Sequence, residues 1–563
     1  MHQPKDIAVS EKTMHKKSGI AKNKQRRRRN KYWPWVILTM AGMLTAAIRF
    51  RLLEMPLERD EGEFAYIGQL ILQGIPPYLE AVNMKLPGIY AVYALIMAIF
   101  GQTIAGIHLG LLIANLIAVV LLFLLVRHLF DDIAAVVAAA GYALLSVSPS
   151  VLGTQAHATQ FIVPFALGGT LILLKAADSG KLVWLFLSGL LFGSAFIIKQ
   201  HAVFFCVFAA IYFTLRAVNT RPVRWKRLII GNIILSMGLA LPFLITCAIL
   251  YAAGVFAEFW FWTFTYAKEY VSLQKTVFEI LMTFKANTIA VINSWALLWL
   301  FSGIGIAAVF WNEKAKSNRL FLISFTILSF LTICPGFYFR PHYFVTFLPA
   351  VALLAGVGLS ASLKRISEKI KIPIVQTIPF LAGIAAFVFP LFSLGEFFFK
   401  ATPVEASRML YPANIFPESI AIAEYIKENT KRDDRIAVIG SEPQIYFYSH
   451  RKSAARYIYV YALTERHPFA SQMQRDMIRE IESAKPQYIV YVDEPSSWTV
   501  DLEADLTILK WSEKYLNQNY IIVGLITYNF LYNKYEIYWD EEAANKKPGP
   551  ALNAYVLKRR PLF

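Results

Sequence analysis

Apolar stretches separated by short polar segments fill the chain from Trp33 to about residue 400. Because about 20 apolar residues suffice for a helix to cross a bilayer, this pattern predicts a series of transmembrane helices. The run from Ile133 to Leu174 contains no Asp, Glu, Lys or Arg, so it predicts two helices joined through Ser148–Gln160. The stretches cover roughly 35–48, 86–100, 104–126, 133–149, 161–174, 182–198, 202–215, 228–252, 288–311, 320–335, 343–360 and 372–395.

The charges between these stretches indicate which of them cross. Basic loops of membrane proteins stay on the cytoplasmic side. If 86–100 does not cross, the basic loops near 216–227, 314–319 and 364–371 share one side with the basic N-terminal tail. We therefore interpret 86–100 as an interfacial or re-entrant element. The pattern then predicts about 11 to 13 transmembrane helices, with about 11 crossings as the central expectation.

Three segments face the other side in this arrangement: the loop around Asp60, the loop at 150–160 and the loop at 253–287. The last of these contains several aromatic residues, a density that is typical of an interfacial belt. They are Trp260, Trp262, Phe264, Tyr266 and Tyr270.

From about residue 400 the pattern changes to alternating helices and strands, which predicts a small α/β domain. With an odd number of crossings this domain lies on the outer side. Gly440 follows a predicted strand at 435–440, but the glycine pattern of a dinucleotide-binding loop is missing. The other predicted elements are helices at 417–430, 473–484 and 503–517, and strands at 488–492, 520–527, 535–539 and 553–558.

Composition supports a membrane protein over a soluble one, because 56% of the 563 residues are hydrophobic and 17% are charged. The net charge of +18 lies largely in the N-terminal tail and in short loops, which fits the membrane pattern and argues against nucleic acid as a partner. The cysteines at 206, 247 and 334 all lie in apolar stretches and form neither a disulfide framework nor a metal-ligand spacing.

The candidate chemistry begins just after the first predicted span, where five charged side chains follow each other closely. Charge at a membrane surface is costly to desolvate, although exposed loop charges are common. They are Glu58, Arg59, Asp60, Glu61 and Glu63.

Asp60-Glu61 is followed by Phe64-Ala65-Tyr66, Gly74, Tyr78 and Asn83-Met84-Lys85-Leu86-Pro87. With these residues the chain resembles the GT-C glycosyltransferases of family 39. These include bacterial aminoarabinose transferases acting on lipid A and eukaryotic protein O-mannosyltransferases. The order of parts is also similar, with a large first outer loop, a body of many spans and a C-terminal outer domain. Further matching residues are Gly193, Lys199-Gln200, Arg340-Pro341-His342-Tyr343 and Pro349.

We therefore expect a polytopic α-helical membrane protein of the GT-C fold with a C-terminal extracytoplasmic α/β domain. Its parts are a basic cytoplasmic tail (1–32), a transmembrane catalytic module (33–400, with its first outer loop at 53–103) and the outer domain (401–563). The resemblance implies the cytoplasmic (inner) membrane of a bacterium, with the active site facing the periplasm or the exterior.

The resemblance also implies a polyprenyl-phosphate-linked sugar as donor, a hydroxyl of a lipid, glycan or protein as acceptor, and Asp60 as catalytic base with Glu61 in support. The acceptor hydroxyl must lose its proton as it attacks the anomeric carbon, and a positioned carboxylate accelerates that step. The leaving group is a phosphate, so cations matter more than a general acid. Candidate phosphate ligands are Lys85, Lys199, Arg340 and His342, and candidates for other substrate contacts are Tyr78, His157 and Gln160.

The second outer loop departs from the family pattern. Many relatives carry an acid there, whereas residues 153–160 contain none, and Gln160 stands where Glu is often found. Asp60 and Glu61 with His157 would be a poor site for Mg²⁺, which prefers oxygen ligands. We expect no obligatory metal and no cofactor.

Two other functions are open at this point. A transporter or flippase of a lipid-linked substrate would carry ionisable residues near the middle of its spans, but here the charges gather at one face. A scaffold without catalytic activity would use its outer domain to bind partners. The identities of sugar and acceptor do not follow from the sequence.

Overall fold

The computed structural model describes residues 32–272, 275–501, 503–532 and 534–561. The predicted basic tail (1–32) lies outside this part of the chain except for Tyr32. The α-helices are α1 Trp33–Arg51, α2 Arg59–Leu72, α3 Pro87–Phe100, α4 Ile104–Leu129, α5 Asp132–Leu145, α6 Ala158–Ser179, α7 Leu182–Ile198, α8 Val203–Asn219, α9 Trp225–Ala252, α10 Phe256–Trp260, α11 Ala267–Val271, α12 Val277–Asn293, α13 Ala296–Ala307, α14 Glu313–Ser317, α15 Arg319–Leu331, α16 Leu348–Lys369, α17 Pro373–Ser393, α18 Pro403–Leu410, α19 Glu418–Glu428, α20 Gln444–Ser449, α21 Tyr461–Thr464, α22 Ala470–Ala484, α23 Pro495–Trp498, α24 Thr507–Asn519 and α25 Asp540–Asn545.

Contacts between helix ends define two faces of the helical body. On one face, the His108 ring lies 2.7 Å from the Leu53 carbonyl oxygen, and the Trp295 indole N–H donates to the Ser148 hydroxyl at 3.0 Å. We call this the Asp60 face. On the opposite face, the Asn318 amide donates to a carbonyl at the end of α4 at 3.0 Å.

Eleven of the described helices run between these faces with alternating direction: α1, α4 to α9, α13 and α15 to α17. Seven of them are long and apolar enough to cross a membrane alone, and the bent pair of α12 and α13 makes an eighth candidate. The others, α5, α7 and α15, are shorter apolar helices. The chain is a multi-pass membrane protein, and the predicted number of crossings agrees with the alternation of helix ends.

Two further helices do not run between the faces. α3 begins beside Lys85 and ends just before α4, whose first turns lie on the Asp60 face, so both its ends are on that face, as loop charge indicates. α12 begins where the Lys275 ammonium contacts the Gly336 carbonyl (3.1 Å) and ends at Trp295, also on the Asp60 face. A bend of 105° between α12 and α13 divides the apolar stretch predicted at 288–311.

Small residues allow α13 and α16 to pack closely. A Cβ atom at Gly305 would lie 2.0 Å from the Leu354 carbonyl oxygen, and one at Gly358 would lie 2.0 Å from the Phe301 carbonyl oxygen. Close backbone approach through small residues is a common basis of helix association in membranes.

We expect Gly305→Val to lower the stability of the folded protein by about 1–3 kcal/mol, because the added side chain forces α13 and α16 apart. The matched control is Gly303→Val, two residues away on the same helix, where an added Cβ meets no atom within 4 Å. Thermal unfolding in detergent compares the two variants. Equal losses would mean that helix propensity, not the close contact, limits stability.

The C-terminal domain contains a six-stranded sheet of order β2-β1-β3-β6-β4-β5. β1 pairs with β2 and β3 in parallel, and the other pairings are antiparallel. The predicted helices and strands of this domain are all present with shifted ends. The helices α18, α20, α21, α23 and α25 and the short strand β2 were not predicted. The strands are β1 Arg435–Ile439, β2 Lys452–Ser453, β3 Tyr488–Asp493, β4 Tyr520–Asn529, β5 Lys534–Trp539 and β6 Asn553–Arg559.

Candidate active site

Asp60 lies in the first turn of α2, and the local sequence determines where that helix begins. The Glu58 carboxylate accepts a hydrogen bond from the Glu61 N–H (3.0 Å), and the Glu61 carboxylate accepts one from the Glu58 N–H (3.2 Å). This reciprocal pair satisfies backbone donors that a helix N-terminus leaves free. It starts α2 at Arg59, so that Asp60 lines a cavity while Arg59 contacts the C-terminal domain.

Asp60 is buried between a lysine and a histidine. The Lys85 ammonium lies 3.4 Å from each carboxylate oxygen of Asp60, and His157 Nδ1 lies 3.9 Å from one of them. Tyr78 fixes the backbone at Lys85, because its hydroxyl donates a hydrogen bond to the Lys85 carbonyl at 2.7 Å. Residues 60–85 therefore fold back on themselves, so that Asp60 and Lys85 form an ion pair.

A cavity of about 140 Å³ opens beside Asp60. Lys85, Lys199 and Arg340 line it together with Asp60, although they come from three loops that are far apart in the sequence. Arg340 is held by the Tyr270 hydroxyl at 3.2 Å. The cavity therefore combines Asp60 with three cations, which are the groups expected for an acceptor hydroxyl and a donor phosphate.

The C-terminal domain closes this cavity. Tyr459, Tyr461 and Glu465 of that domain line it, and Glu465 accepts a hydrogen bond from the Tyr266 hydroxyl at 2.7 Å. Trp262, Tyr266 and Tyr270 line it from the loop that was interpreted as an aromatic belt. Sequence reasoning missed all of these residues as site residues; the only signal was the aromatic density at 260–270.

Asp60 is a carboxylate throughout the physiological pH range. Burial alone would raise the pKa of Asp60, but the charges of Lys85, Lys199 and Arg340 outweigh it and hold that pKa well below its usual range. A carboxylate stabilised by several cations binds a proton weakly. Asp60 becomes a stronger base when another anion, such as a phosphate, shares these cations.

The environment that favours the charged form of Asp60 disfavours the charged form of Lys199. Burial, together with Lys85 and Arg340, lowers the pKa of Lys199 to about 7, and Asp60 only partly compensates. The Lys199 ammonium lies 4.5 Å from the centre of the Tyr343 ring. Lys199 is thus protonated in only part of the molecules near neutral pH.

The two histidines near Asp60 are neutral. Burial lowers the pKa of His157 to about 4, although Asp60 acts in the other direction. Burial, followed by the nearness of the His157 ring and the charge of Lys199, lowers the pKa of His342. Their rings stack with centroids 4.1 Å apart. As neutral imidazoles they can accept hydrogen bonds or bind a metal.

Arg59 fastens the C-terminal domain to the start of α2. Its guanidinium is buried and lies 2.9 Å from a carboxylate oxygen of Glu442 and 2.9 Å from one of Glu494. It also donates to the Ser441 carbonyl at 3.0 Å. Because Arg59 immediately precedes Asp60, this network couples the C-terminal domain to the position of the candidate base.

Glu63, one of the five charged residues after the first predicted span, is fully buried. It accepts hydrogen bonds from the Tyr90 hydroxyl and the Asn83 amide, both at 2.7 Å. Burial raises the pKa of Glu63 to about 8 despite the charge of Lys85. Its contacts connect α2 to the segment that carries Lys85.

Four of the nine predicted site residues lie away from the cavity lining. Glu61 is fully buried and binds His108 (3.0 Å) and the Ala156 N–H (2.6 Å), so it connects the first two outer loops. Gln160 donates to the Gly153 carbonyl at 3.1 Å, and Tyr78 positions Lys85. His157 lies next to Asp60 but does not line the cavity. The structure brings the other five, Asp60, Lys85, Lys199, Arg340 and His342, to the cavity.

One set of described residues has ligand atoms close enough for a metal ion. Atoms of Asp60, His157 and His342 all lie within 4.8 Å of one another. Two imidazoles and a carboxylate suit Zn²⁺ better than Mg²⁺. Neither ring nitrogen of His157 has a hydrogen-bond partner among the described residues, which fits this donor set. A bound Zn²⁺ would act as a Lewis acid beside the carboxylate.

Comparisons with known proteins agree with this arrangement. Residues 85–246 match the family model described as dolichyl-phosphate-mannose-protein mannosyltransferase, and residues 417–528 match that of the putative competence-induced protein Ccs4 C-terminal domain. The first match covers under a third of the chain; it includes Lys85, His157 and Lys199. A comparison with curated protein sequences found no significant match.

Solved structures share the fold over nearly the whole chain. ArnT from Cupriavidus metallidurans bound to undecaprenyl phosphate has a TM-score of 0.57 at 13% identity and covers 93% of this chain and 97% of its own. The oligosaccharyltransferase of Archaeoglobus fulgidus tethered with an acceptor peptide has a TM-score of 0.55 at 13% identity, covering 91% and 74%. The oligosaccharyltransferase AglB from Archaeoglobus fulgidus, in complex with an inhibitory peptide and a dolichol-phosphate, has a TM-score of 0.54 at 13% identity and covers 91% of this chain and 75% of its own. The resemblance to GT-C glycosyltransferases is confirmed, and the chain has their fold.

Proposed function

We propose that this protein is a glycosyltransferase that moves a sugar from a polyprenyl-phosphate donor to a hydroxyl acceptor, with Asp60 as general base. The observation that carries the proposal is the convergence of Asp60, Lys85, Lys199 and Arg340 on one cavity from distant parts of the chain. Undecaprenyl phosphate bound to ArnT and dolichol-phosphate bound to AglB support a lipid-linked donor.

The proposed reaction needs only a few participants. The acceptor hydroxyl gives its proton to Asp60 while its oxygen bonds to the anomeric carbon, and the bond from that carbon to the phosphate oxygen breaks. The departing polyprenyl phosphate keeps the bonding electrons, and Lys85, Lys199 and Arg340 stabilise its charge. No proton needs to be donated to a phosphate leaving group at neutral pH.

Donor binding would also activate the base. In the free protein the cations bind Asp60 and weaken it as a base. A donor phosphate drawn to the same cations would share their charge, so the pKa of Asp60 would rise only when the donor is in place. Such an order of events would restrict proton removal to the complex with both substrates.

In this proposal the Asp60 face is the outer face of a bacterial cytoplasmic membrane. The opposite face carries most basic loop residues of the described helical body, in agreement with the positive-inside pattern. A transporter is less well supported, because the titratable cluster lies at one face and no broken span in the described residues carries it.

Mass analysis of envelope glycolipids and glycoproteins tests the proposal. Cells with the protein, cells without it and cells complemented with Asp60→Asn are compared. We expect a hexose or pentose mass difference that only the unaltered protein restores. Identical masses in all three strains would reject the proposal. If a mass difference is found, the glycolipid or glycoprotein that carries it identifies the acceptor class.

We expect kcat/KM for the donor to fall between about pH 7 and 9, by up to about tenfold per pH unit. Lys199, with a pKa of about 7, loses its charge as the pH rises and then no longer attracts phosphate. Lys199→Arg keeps its charge at these pH values, so its profile should be flat there. The control is Lys85→Arg, in which kcat/KM should still fall over this pH range. If kcat/KM of Lys199→Arg fell as steeply as that of the unaltered protein, a group other than Lys199 would cause the pH dependence.

A further inference from the structure

A second cavity lies at the opposite face of the helical body, where α6 and α8 end and where α7 and α9 begin. Its volume is about 300 Å³. α6 runs 22 residues from His157 beside Asp60 to Gly180 at this cavity, and at 1.5 Å per residue that is about 30 Å. The second cavity is therefore separated from the candidate active site by the thickness of a bilayer core.

The walls of this cavity combine apolar side chains with arginines. Leu185, Phe213 and Leu228 line its inner part. Four arginines line its mouth, and the described lining contains no acidic residue. They are Arg216, Arg221, Arg224 and Arg227.

Only one of these arginines has an ionic partner among the described residues. Arg216 lies 2.6 Å from Asp178. Arg221, Arg224 and Arg227 are exposed and make no ion pair or side-chain hydrogen bond within the described chain. Three unneutralised guanidinium groups around one opening attract an anion strongly, and guanidinium geometry suits phosphate oxygens.

The mouth of the cavity is shaped around one of these groups. Gly180 ends α6 in the left-handed conformation, with a φ of +69°. A Cβ there would lie 1.7 Å from an Arg227 guanidinium nitrogen, so the arginine rests directly on the glycine backbone. The loop between α6 and α7 therefore holds Arg227 at the opening.

The cavity continues onto the membrane-facing surface of the protein. A neighbouring groove shares Gly180, Arg224 and Arg227 with it and adds Trp225 and Ile230. Trp225 is 62% exposed at the start of α9, a position typical of aromatic anchors at a membrane interface. Apolar residues exposed along α9 follow it, namely Ile229, Ile233 and Met237.

We infer that this cavity is a binding site for an anionic membrane phospholipid. The phosphodiester headgroup would lie among Arg221, Arg224 and Arg227, and an acyl chain would lie along the exposed side of α9. A soluble phosphate would use the arginines but not the apolar continuation. Basic pockets between transmembrane helices at a membrane surface bind anionic headgroups in this way. The lipid bridges the α6–α7 and α8–α9 loops and stabilises their packing.

Lipid retention of the purified full-length protein tests the inference. After reconstitution in nanodiscs of phosphatidylglycerol and phosphatidylcholine in equal parts, the protein is released into detergent and its bound lipids are measured by native mass spectrometry. We expect selective retention of phosphatidylglycerol. Arg221→Gln/Arg224→Gln should weaken it about tenfold, because two of the three free charges are lost.

The matched control is Lys364→Gln/Lys369→Gln, which removes two exposed charges at the end of α16 on the same face without touching the cavity. It should retain phosphatidylglycerol like the unaltered protein. Equal loss in both variants, no preference over phosphatidylcholine, or displacement by inorganic phosphate or polyprenyl phosphate would overturn the inference. A photoreactive phosphatidylglycerol should crosslink to peptides within 176–230 of the unaltered protein, which keeps the test decisive even if a variant fails to fold.

Discussion

Asp60→Asn is expected to reduce sugar transfer by about 10²–10⁴-fold while the protein still folds. The amide has nearly the same shape as the carboxylate but cannot take the proton of the acceptor hydroxyl. The measurement is release of polyprenyl phosphate by purified protein, once envelope analysis has identified the sugar. Donor affinity should change much less than kcat, since Lys85, Lys199 and Arg340 remain in place.

The matched control for this variant is Glu465→Gln, which neutralises another carboxylate of the same cavity lining. Glu465 accepts a hydrogen bond from Tyr266 and lines the same cavity, but unlike Asp60 it forms no ion pair with Lys85 among the described residues. We expect a change of only a few fold. If Asp60→Asn retained more than a tenth of the activity, Asp60 would not be the base, and the cluster would serve binding alone.

Replacement of Arg59 by Leu is the second variant with a large expected effect. It would leave the Glu442 and Glu494 carboxylates buried without their cation, which typically costs about 3–5 kcal/mol. The C-terminal domain would detach from the start of α2, and Asp60 would lose its fixed position. We expect a lower unfolding midpoint in denaturant and a loss of transfer that exceeds any loss of donor binding.

A rescue variant distinguishes the ion network from simple side-chain loss. In Arg59→Leu/Glu442→Gln/Glu494→Gln no buried charge is left unpaired, so a substantial part of the stability should return. A control on the surface, Arg466→Leu, breaks an exposed ion pair with Glu503 and should change stability little. If the triple variant were as unstable as Arg59→Leu, packing rather than charge would explain the loss.

Some of the site could be predicted because its residues are close in the sequence. Asp60 and Lys85 belong to one continuous loop, and their roles as base and phosphate ligand were implied by the resemblance of that loop to a known family. Lys199 and Arg340 were candidates because they belong to the weaker matches to the same family. What could not be predicted is that Glu61, a neighbour of Asp60, turns away to bind His108 and the second outer loop. The side chains of adjacent residues in the first turn of a helix point in different directions. The capping contacts of Glu58 determine where α2 begins and therefore the direction of each side chain.

Other errors came from tertiary context. The aromatic residues of 253–287 have the composition of an interfacial belt, yet Trp262, Tyr266 and Tyr270 line the cavity because the C-terminal domain lies over that loop. The apolar stretch 288–311 has the length of one span, yet it bends by 105°. Hydropathy records how apolar a segment is and carries no information about what covers it.

The sequence by itself determined the membrane class, the approximate spans, the gathering of the basic loops at one face and the presence of a C-terminal α/β domain. These depend on the apolar content of each segment and on its charge, which are local properties. Only the tertiary structure decided which charged residues share a cavity, that Arg59 connects the Asp60 loop to the C-terminal domain, and that a basic cavity lies at the opposite face. Those features depend on the directions of helices far apart in the chain, which packing of the complete bundle determines.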